Sequence, residues 1–353
     1  MRLALALAIA LLVAFPPAVA QDLSPQEHKS IVLVILDGVG AYYVMDGLTP
    51  HSLSGEPLKK AEVPSYLGKM HAYTVPTMVP KTTQSHAVLF TGCSLAEPET
   101  VGFENASIFD VARSEGYRVY AIMQQGDTSE VIAEQDAILY FAEGLKAEDV
   151  RVVYSPLARE VGELMEAHAL TYDGTEEWVV RCALDVMKSS KEPFLLTINI
   201  ATCDHAAHVR NLTAYVGAIE HTLRALEPLV SECARRGYVL AITSDHGMAF
   251  WSERARGGHA SSDYAATPEA TTCILYLNEM PQESIRAQQD IAPAILTLAG
   301  IHRMPRYADV VSSRSVLEKF REPKRIPAWR VWVGAAMVGA INAMGIVLLR
   351  RLL

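Results

Sequence analysis

Three stretches of this sequence, IVLVILDG (31–38), FLLTINIATCDHAAH (194–208) and YVLAITSDHG (238–247), each run from an apolar segment into an acid, twice followed by histidine. An unbroken apolar run of six or seven residues has the length of a strand and, lacking in–out alternation, is buried on both faces. RVYAIM (118–123) and CILYL (273–277) have the same character. Between the runs the period changes to 3.6. Leu212, Val216, Ile219, Leu223 and Leu226 form one buried helix face, which Pro228 is expected to bend or break. Further helical patterns cover 108–115, 157–167, 176–188 and 291–299. Strands alternating with helices predict the α/β class: a mostly parallel central sheet with helices on both faces.

In such sheets the ligand crevice lies at the carboxyl ends of the strands. That edge would gather Asp37, Asp204, His208, Asp245 and His246, with His259 of RGGHASS as a sixth side chain. Taken singly, each has a bland reading as a turn residue, a helix cap or a hydrogen-bonded imidazole. Together, three carboxylates and three imidazoles in one crevice demand cations between them, because like charges repel and buried unpaired charge is costly. Nitrogen and oxygen ligands without thiolates suit zinc first and manganese second, and six of them hold two ions with open positions. Two ions about 4 Å apart polarise a phosphoryl oxygen and stabilise an in-line displacement.

The segment KTTQSHAVLFTG (81–92) supplies the hydroxyls such chemistry needs. Thr82, Thr83 and Ser85 are the candidate nucleophiles. A threonine hydroxyl is nearly inert at neutral pH until a coordinated metal stabilises its alkoxide. No GxSxG elbow suggests a Ser-His-Asp relay instead.

Composition bounds the partners. A net charge of −9 gives no footprint for gripping a nucleic-acid backbone, so a polyanion would bind only through a local positive centre such as a bound metal; the paired ions make a small phosphate ester the expected ligand, and no protein partner is inferable. Residues 1–20 read as a signal peptide cleaved after Ala20, and 331–349 as a transmembrane helix roughly 28 Å long. The expected order is a catalytic domain at 21–302, a stalk at 303–330, the membrane helix, and a cytoplasmic tail at 350–353. Basic residues flank the membrane run on both sides, so the signal peptide sets the orientation, with the catalytic domain extracytoplasmic. A removable lipid-anchor tail is the competing reading, but this chain ends in Arg350-Arg351-Leu352-Leu353. Residues 135–191 read as a small cap or an extra layer. The five cysteines show no CxxC spacing and read as buried small hydrophobes. Sequons at Asn105 and Asn211 are weak support for export.

With these motifs in place, the chain resembles the alkaline phosphatase superfamily, most closely its type I phosphodiesterase/nucleotide pyrophosphatase branch. The likeness runs through VILDGVG, KTTQSHAVLFTG, DHAAH, TSDHGM, GGHASS and the late DIAPAILTLAGI, covering most of 31–306. It implies a hydrolase with Thr82 as nucleophile, one metal held by Asp37, Thr82, Asp245 and His246, and a second by Asp204, His208 and His259. TTQS stands where the branch has TFPN, and Ala207 where it has glycine, which keeps Thr83 and Ser85 open as alternatives. His86 reads as structural, and His205 as a group that supports a ligand from behind or faces solvent. Lys81, Arg254 and Arg256 are candidates for contact with a substrate anion, with surface charge as the bland reading. Sulfatase-like and phosphoglycerate-mutase-like activities are the alternatives within the superfamily. The formylglycine motif CxPxR is absent, since Cys93 begins CSLAE, and a mutase substrate belongs inside cells. A catalytically silent surface module of the same fold is the alternative from another class.

Overall fold

In the computed structural model, residues 28–310 are described, except 125–128, 143–144 and 192. The expected signal peptide, membrane helix and tail lie outside the described residues, as does most of the expected stalk. Among the described residues no helix is long and apolar enough to cross a membrane.

Eight strands form one sheet: β1 (Ile31–Leu36), β2 (His71–Pro76), β3 (Arg118–Met123), β4 (Ala137–Phe141), β5 (Val150–Tyr154), β6 (Phe194–Ile200), β7 (Val239–Thr243) and β10 (Thr272–Leu277). Their order is β2-β10-β7-β1-β6-β3-β4-β5. The run from β7 to β4 is parallel, while β5 and β10 pair antiparallel with their neighbours. A two-stranded ribbon of β8 (Ala249–Phe250) and β9 (Gly257–Gly258) stands apart from the sheet.

The expected α/β architecture is present, and its physical basis is visible in β1. Val32, Val34 and Leu36 enter one core, and Ile31, Leu33 and Ile35 the other. The first core is closed by α3 (Arg159–Ala169), α4 (Glu176–Ser189), α6 (Leu212–Ala225) and α7 (Glu227–Arg236), through Met165, Trp178, Leu223 and Leu229. The second is closed by α1 (Thr82–Thr91), α2 (Ile108–Ser114) and α8 (Ile291–Leu298), through Leu89, Phe109 and Ile295. Pro228 does break the helical pattern: α6 ends at Ala225 and Pro228 sits in the first turn of α7, where its missing N–H costs nothing.

The five apolar runs are β1, β3, β6, β7 and β10. Sequence reading did not single out β2, β4 and β5. The two edge strands β2 and β5 alternate between more and less exposed positions, so they carry no continuous apolar run. β4 and β5 extend the sheet from within 135–191, and α3 and α4 cover it there.

One boundary is corrected. Residues 303–309 do not leave the domain as a stalk: Arg306 N donates to Asn105 O, Asp309 N donates to Gly92 O, and Ala308 is fully buried. Cys182, Cys203, Cys233 and Cys273 are buried free thiols, as read; Cys93 is free and half-buried. Both sequon asparagines have structural duties, Asn211 Oδ1 capping α6 and Asn105 Oδ1 accepting from Arg303.

Candidate metal centre

β7, β1 and β6 are neighbours in the sheet, so the turns that follow them meet at one edge. The Asp37 N–H extends the ladder by donating to Ile200 O at 3.0 Å. The chain then turns through Gly38 at φ 76, a conformation that favours glycine, and a Cβ there would lie 3.0 Å from Asp204 Cβ. Gly38 N and His246 N both donate to Asp245 Oδ1, at 3.0 and 2.8 Å. That fixes the carboxylate with Oδ2 turned inward. After β6, helix α5 (Thr202–Val209) places Asp204 and His208 one turn apart on one face, with Asp204 Oδ1 3.2 Å from His208 Nε2.

Two backbone carbonyls set the imidazole tautomers. A carbonyl only accepts, so His246 Nδ1–H donates to Gly247 O at 2.9 Å and His259 Nδ1–H donates to Pro80 O at 2.7 Å. Both Nε2 lone pairs therefore face the crevice. His246 Nε2 lies 3.4 Å from Asp37 Oδ1, 3.3 Å from Asp245 Oδ2 and 3.1 Å from Thr82 Oγ1. His259 Nε2 lies 3.5 Å from Asp204 Oδ1 and 3.0 Å from His208 Nε2.

Lone pairs thus converge on carboxylate oxygens, and the buried Asp245 Oδ2 accepts no hydrogen bond. Electron-rich atoms this close fit a cation among them far better than a network of their own. Asp37, Asp245 and His246 form one group able to hold an ion, and Asp204, His246 and His259 a second. His208 borders the second group through Asp204 and His259, its side chain 42% exposed. All seven residues expected at the metals are therefore gathered at this edge.

The electrostatics agree. Burial pushes the Asp204 carboxyl up, but the hydrogen bond and charge of His208 outweigh it and hold the group below the usual carboxylate range. The same hydrogen bond raises His208, against burial. Burial and the neighbouring His246 hold His259 down to about 4.

Thr82 is the first residue of α1, which no side chain caps. Ser85 is buried, and its hydroxyl donates to Val79 O at 2.8 Å. Thr83 is half-buried. His86 lies buried with Nε2 3.8 Å from Asp245 Oδ2, the supporting position expected of it. His205 and Lys81 are exposed. Arg254 and Arg256 are exposed on the turn between β8 and β9, where no carboxylate among the described residues pairs with them.

Sequence reading missed Tyr215. Its buried hydroxyl donates to Gly38 O at 2.7 Å and accepts from Gly40 N at 3.1 Å, clamping the turn that carries Asp37. It sits in the apolar stripe of α6, where a tyrosine reads as core. A further acidic group, Glu176, Glu177 and His221, is a cluster in which each ring nitrogen faces its own carboxylate at 3.4 and 3.6 Å.

The model of the Metalloenzyme superfamily matches residues 141–259, which include Asp204, His208, Asp245, His246 and His259. Curated relatives include the 2,3-bisphosphoglycerate-independent phosphoglycerate mutases of Gloeobacter violaceus, 26% identical over 52% of this chain, and of Brugia malayi, 26% identical over 33%. These matches span only 35% and 23% of the relatives' own lengths. Among solved structures, a TAB5 alkaline phosphatase variant with bound Mg shares the fold at a TM-score of 0.50 and 11% identity, over 78% of this chain and 99% of that one. A protein in complex with its substrate D-glucosamine-2-N,6-O-disulfate does so at 0.51 and 10%, over 79% and 78%. The family-model match over 141–259, the partial matches to the relatives and the shared fold make this chain similar to the alkaline-phosphatase-like metalloenzymes, and the ligands gathered at the sheet edge agree with that likeness.

Proposed function

We propose that this protein is a two-metal hydrolase of phosphate esters that works through a phospho-threonine intermediate on Thr82. One observation carries the reading: Thr82 Oγ1 lies 3.1 Å from His246 Nε2, the atom that also faces Asp37 and Asp245. Asp37, Thr82, Asp245 and His246 would hold one ion, and Asp204, His208 and His259 the other. Bound zinc or manganese supplies charge neutralisation at the phosphoryl oxygens and lowers the pKa of a coordinated hydroxyl.

The protein's own part is placement. Thr82 starts α1, so the uncapped N–H groups of the first helical turn offer donors to phosphoryl oxygens beside the attacking atom. Thr82 Oγ1 gives up its proton to solvent and forms a bond to phosphorus as the bond to the leaving alcohol breaks, and the alcohol departs with a proton from water. Water then attacks the same phosphorus, the bond to Thr82 Oγ1 breaks, and inorganic phosphate leaves with the threonine hydroxyl restored.

Acid-quenching the zinc-loaded enzyme with an aryl phosphate and locating the phosphate by mass spectrometry tests this directly. Phosphate on Thr82, lost in Thr82→Ala, is expected; turnover undiminished in Thr82→Ala removes Thr82 from the mechanism.

A second reading, transfer of the phosphoryl group to another hydroxyl of the substrate, is favoured by the names of the curated relatives. The two differ in what accepts the group from Thr82. Turnover in ¹⁸O-labelled water separates them: hydrolysis places the label in released phosphate, and transfer releases none. A sulfatase reading has support in the sulfated substrate of one structural neighbour, but the chain lacks the CxPxR cysteine motif. An exported, membrane-anchored setting belongs to the same proposal and rests on the apolar runs at 1–20 and 331–349.

A further inference from the structure

Gln288 lies outside every motif singled out in the sequence. It opens the short 3-10 segment Gln288–Asp290 ahead of α8 and is 1% exposed. Its Nε2 donates to the Asp245 carbonyl at 2.6 Å and lies 3.4 Å from Ser244 O, while its Oε1 accepts from Thr77 Oγ1 at 2.9 Å. The amide orientation follows from chemistry, because the two carbonyls accept only and the hydroxyl can donate. Thr77 Oγ1 also lies 3.4 Å from Ser85 Oγ, and Ser85 Oγ donates to Val79 O. Thr77 and Ser85 are buried as well.

One buried polar network therefore runs beneath the metal centre. It begins at the backbone of the Asp245–His246 turn, passes through a single carboxamide, and ends at Thr77, five residues before Thr82. These are the two elements whose separation decides whether Thr82 Oγ1 meets the ligands of the first ion. The apolar packing around them is non-directional, whereas an amide bonded at both ends fixes a distance.

We propose that Gln288 is a positioning residue that holds the Thr82 segment in register with the Asp245–His246 ligands. The inference rests on the reading of Thr82 as nucleophile. It touches neither substrate nor metal, so its loss acts through geometry: displacement of a reacting group by about 1 Å costs on the order of 10²-fold, and loss of outer-shell support costs roughly 10–100-fold in activity or metal affinity.

The test uses the full chain loaded with zinc and an aryl phosphate. Gln288→Leu is expected to lower kcat by roughly 10–100-fold with KM within about twofold, and to weaken zinc binding, measured without substrate, by about tenfold or more. Thr77→Val should reproduce the loss of kcat, Thr77→Ser should restore most of it, and the double variant Gln288→Leu/Thr77→Val should be little worse than either single change. Gln288→Leu with a lowered melting temperature but kcat and zinc affinity within about twofold of the parent overturns the proposal. If Gln288→Leu does not fold, the Thr77 pair decides: Thr77→Val with the parent's kcat and zinc affinity overturns it equally. Zinc affinity separates this idea from the proposed activity. An inactive parent whose zinc binding still weakens in Gln288→Leu sinks the phosphatase reading and supports the brace.

Discussion

His246 and His259 stack face to face, their ring centroids 3.8 Å apart and 14° from parallel, while their Nδ1 atoms turn to different carbonyls, Gly247 O and Pro80 O. The carbonyl of Pro80 lies two residues before Thr82. The hydrogen bond that orients His259 therefore also ties down the approach to the nucleophile candidate. Ligand geometry and hydroxyl placement are built from the same contacts.

Thr82→Ala should cut phosphatase activity by at least about 10³-fold, with Thr82→Ser retaining a measurable part. Zinc content by plasma mass spectrometry should stay near the parent value, because the carboxylates and imidazoles remain. An equal loss in Thr83→Ala, with Thr82→Ala active, would transfer the role to Thr83.

Asp204→Asn and Asp37→Asn should each remove one ion rather than both, since the two groups draw on different carboxylates. Bound metal stabilises the folded state by roughly 2.7 kcal/mol at a hundred times its Kd. Chelation should therefore lower the melting temperature of the parent, and do so less in either variant. A chelator without effect on the parent's melting curve would contradict a resident metal.

Metal affinity should fall on acidification. His208 is raised above its usual value by Asp204, so it carries a proton that an ion must displace, and this competition strengthens as pH drops through the raised value. His259, held down to about 4, and the depressed Asp204 carboxyl stay deprotonated over the same range and add nothing. Titration calorimetry in buffers of different ionisation enthalpy should show proton release that grows as pH falls towards the usual imidazole value of about 6.5. Affinity that is flat across this interval would exclude His208 as the competing group.

Gly38→Ala should destabilise the fold by about 1–3 kcal/mol, because the turn sits at φ 76 and the new methyl would press on Asp204 Cβ. The urea midpoint is the measurement. Gly47→Ala has a similar φ with open space around it and controls for backbone strain alone.

Arg254→Gln with Arg256→Gln should raise KM several-fold for anionic substrates and leave zinc content unchanged, since neither arginine has a carboxylate partner among the described residues and both stand on the turn leading to His259. An unchanged KM across a phosphate-ester panel would return them to plain surface charge.

Much of the site was legible along the chain because the chemistry is local at each strand end. A strand buried on both faces writes itself as an unbroken apolar run, and the first acid after it stands near the crevice edge. Asp37, Asp204 and the Asp245–His246 pair were found that way. The choice among Thr82, Thr83 and Ser85 was not legible, since three adjacent hydroxyls differ only in where the helix points them. The fold buries Ser85 against Val79 O and turns Thr82 towards His246. Edge strands β2 and β5 escaped notice because half their side chains meet water. Tyr215 and Gln288 escaped for a deeper reason: each works through hydrogen bonds to backbone atoms far away in sequence, and such partners leave no periodicity to read. Sequence alone set which side chains arrive at the edge of the sheet; tertiary structure decided which atoms face one another there, because strand order and buried hydrogen bonds are non-local.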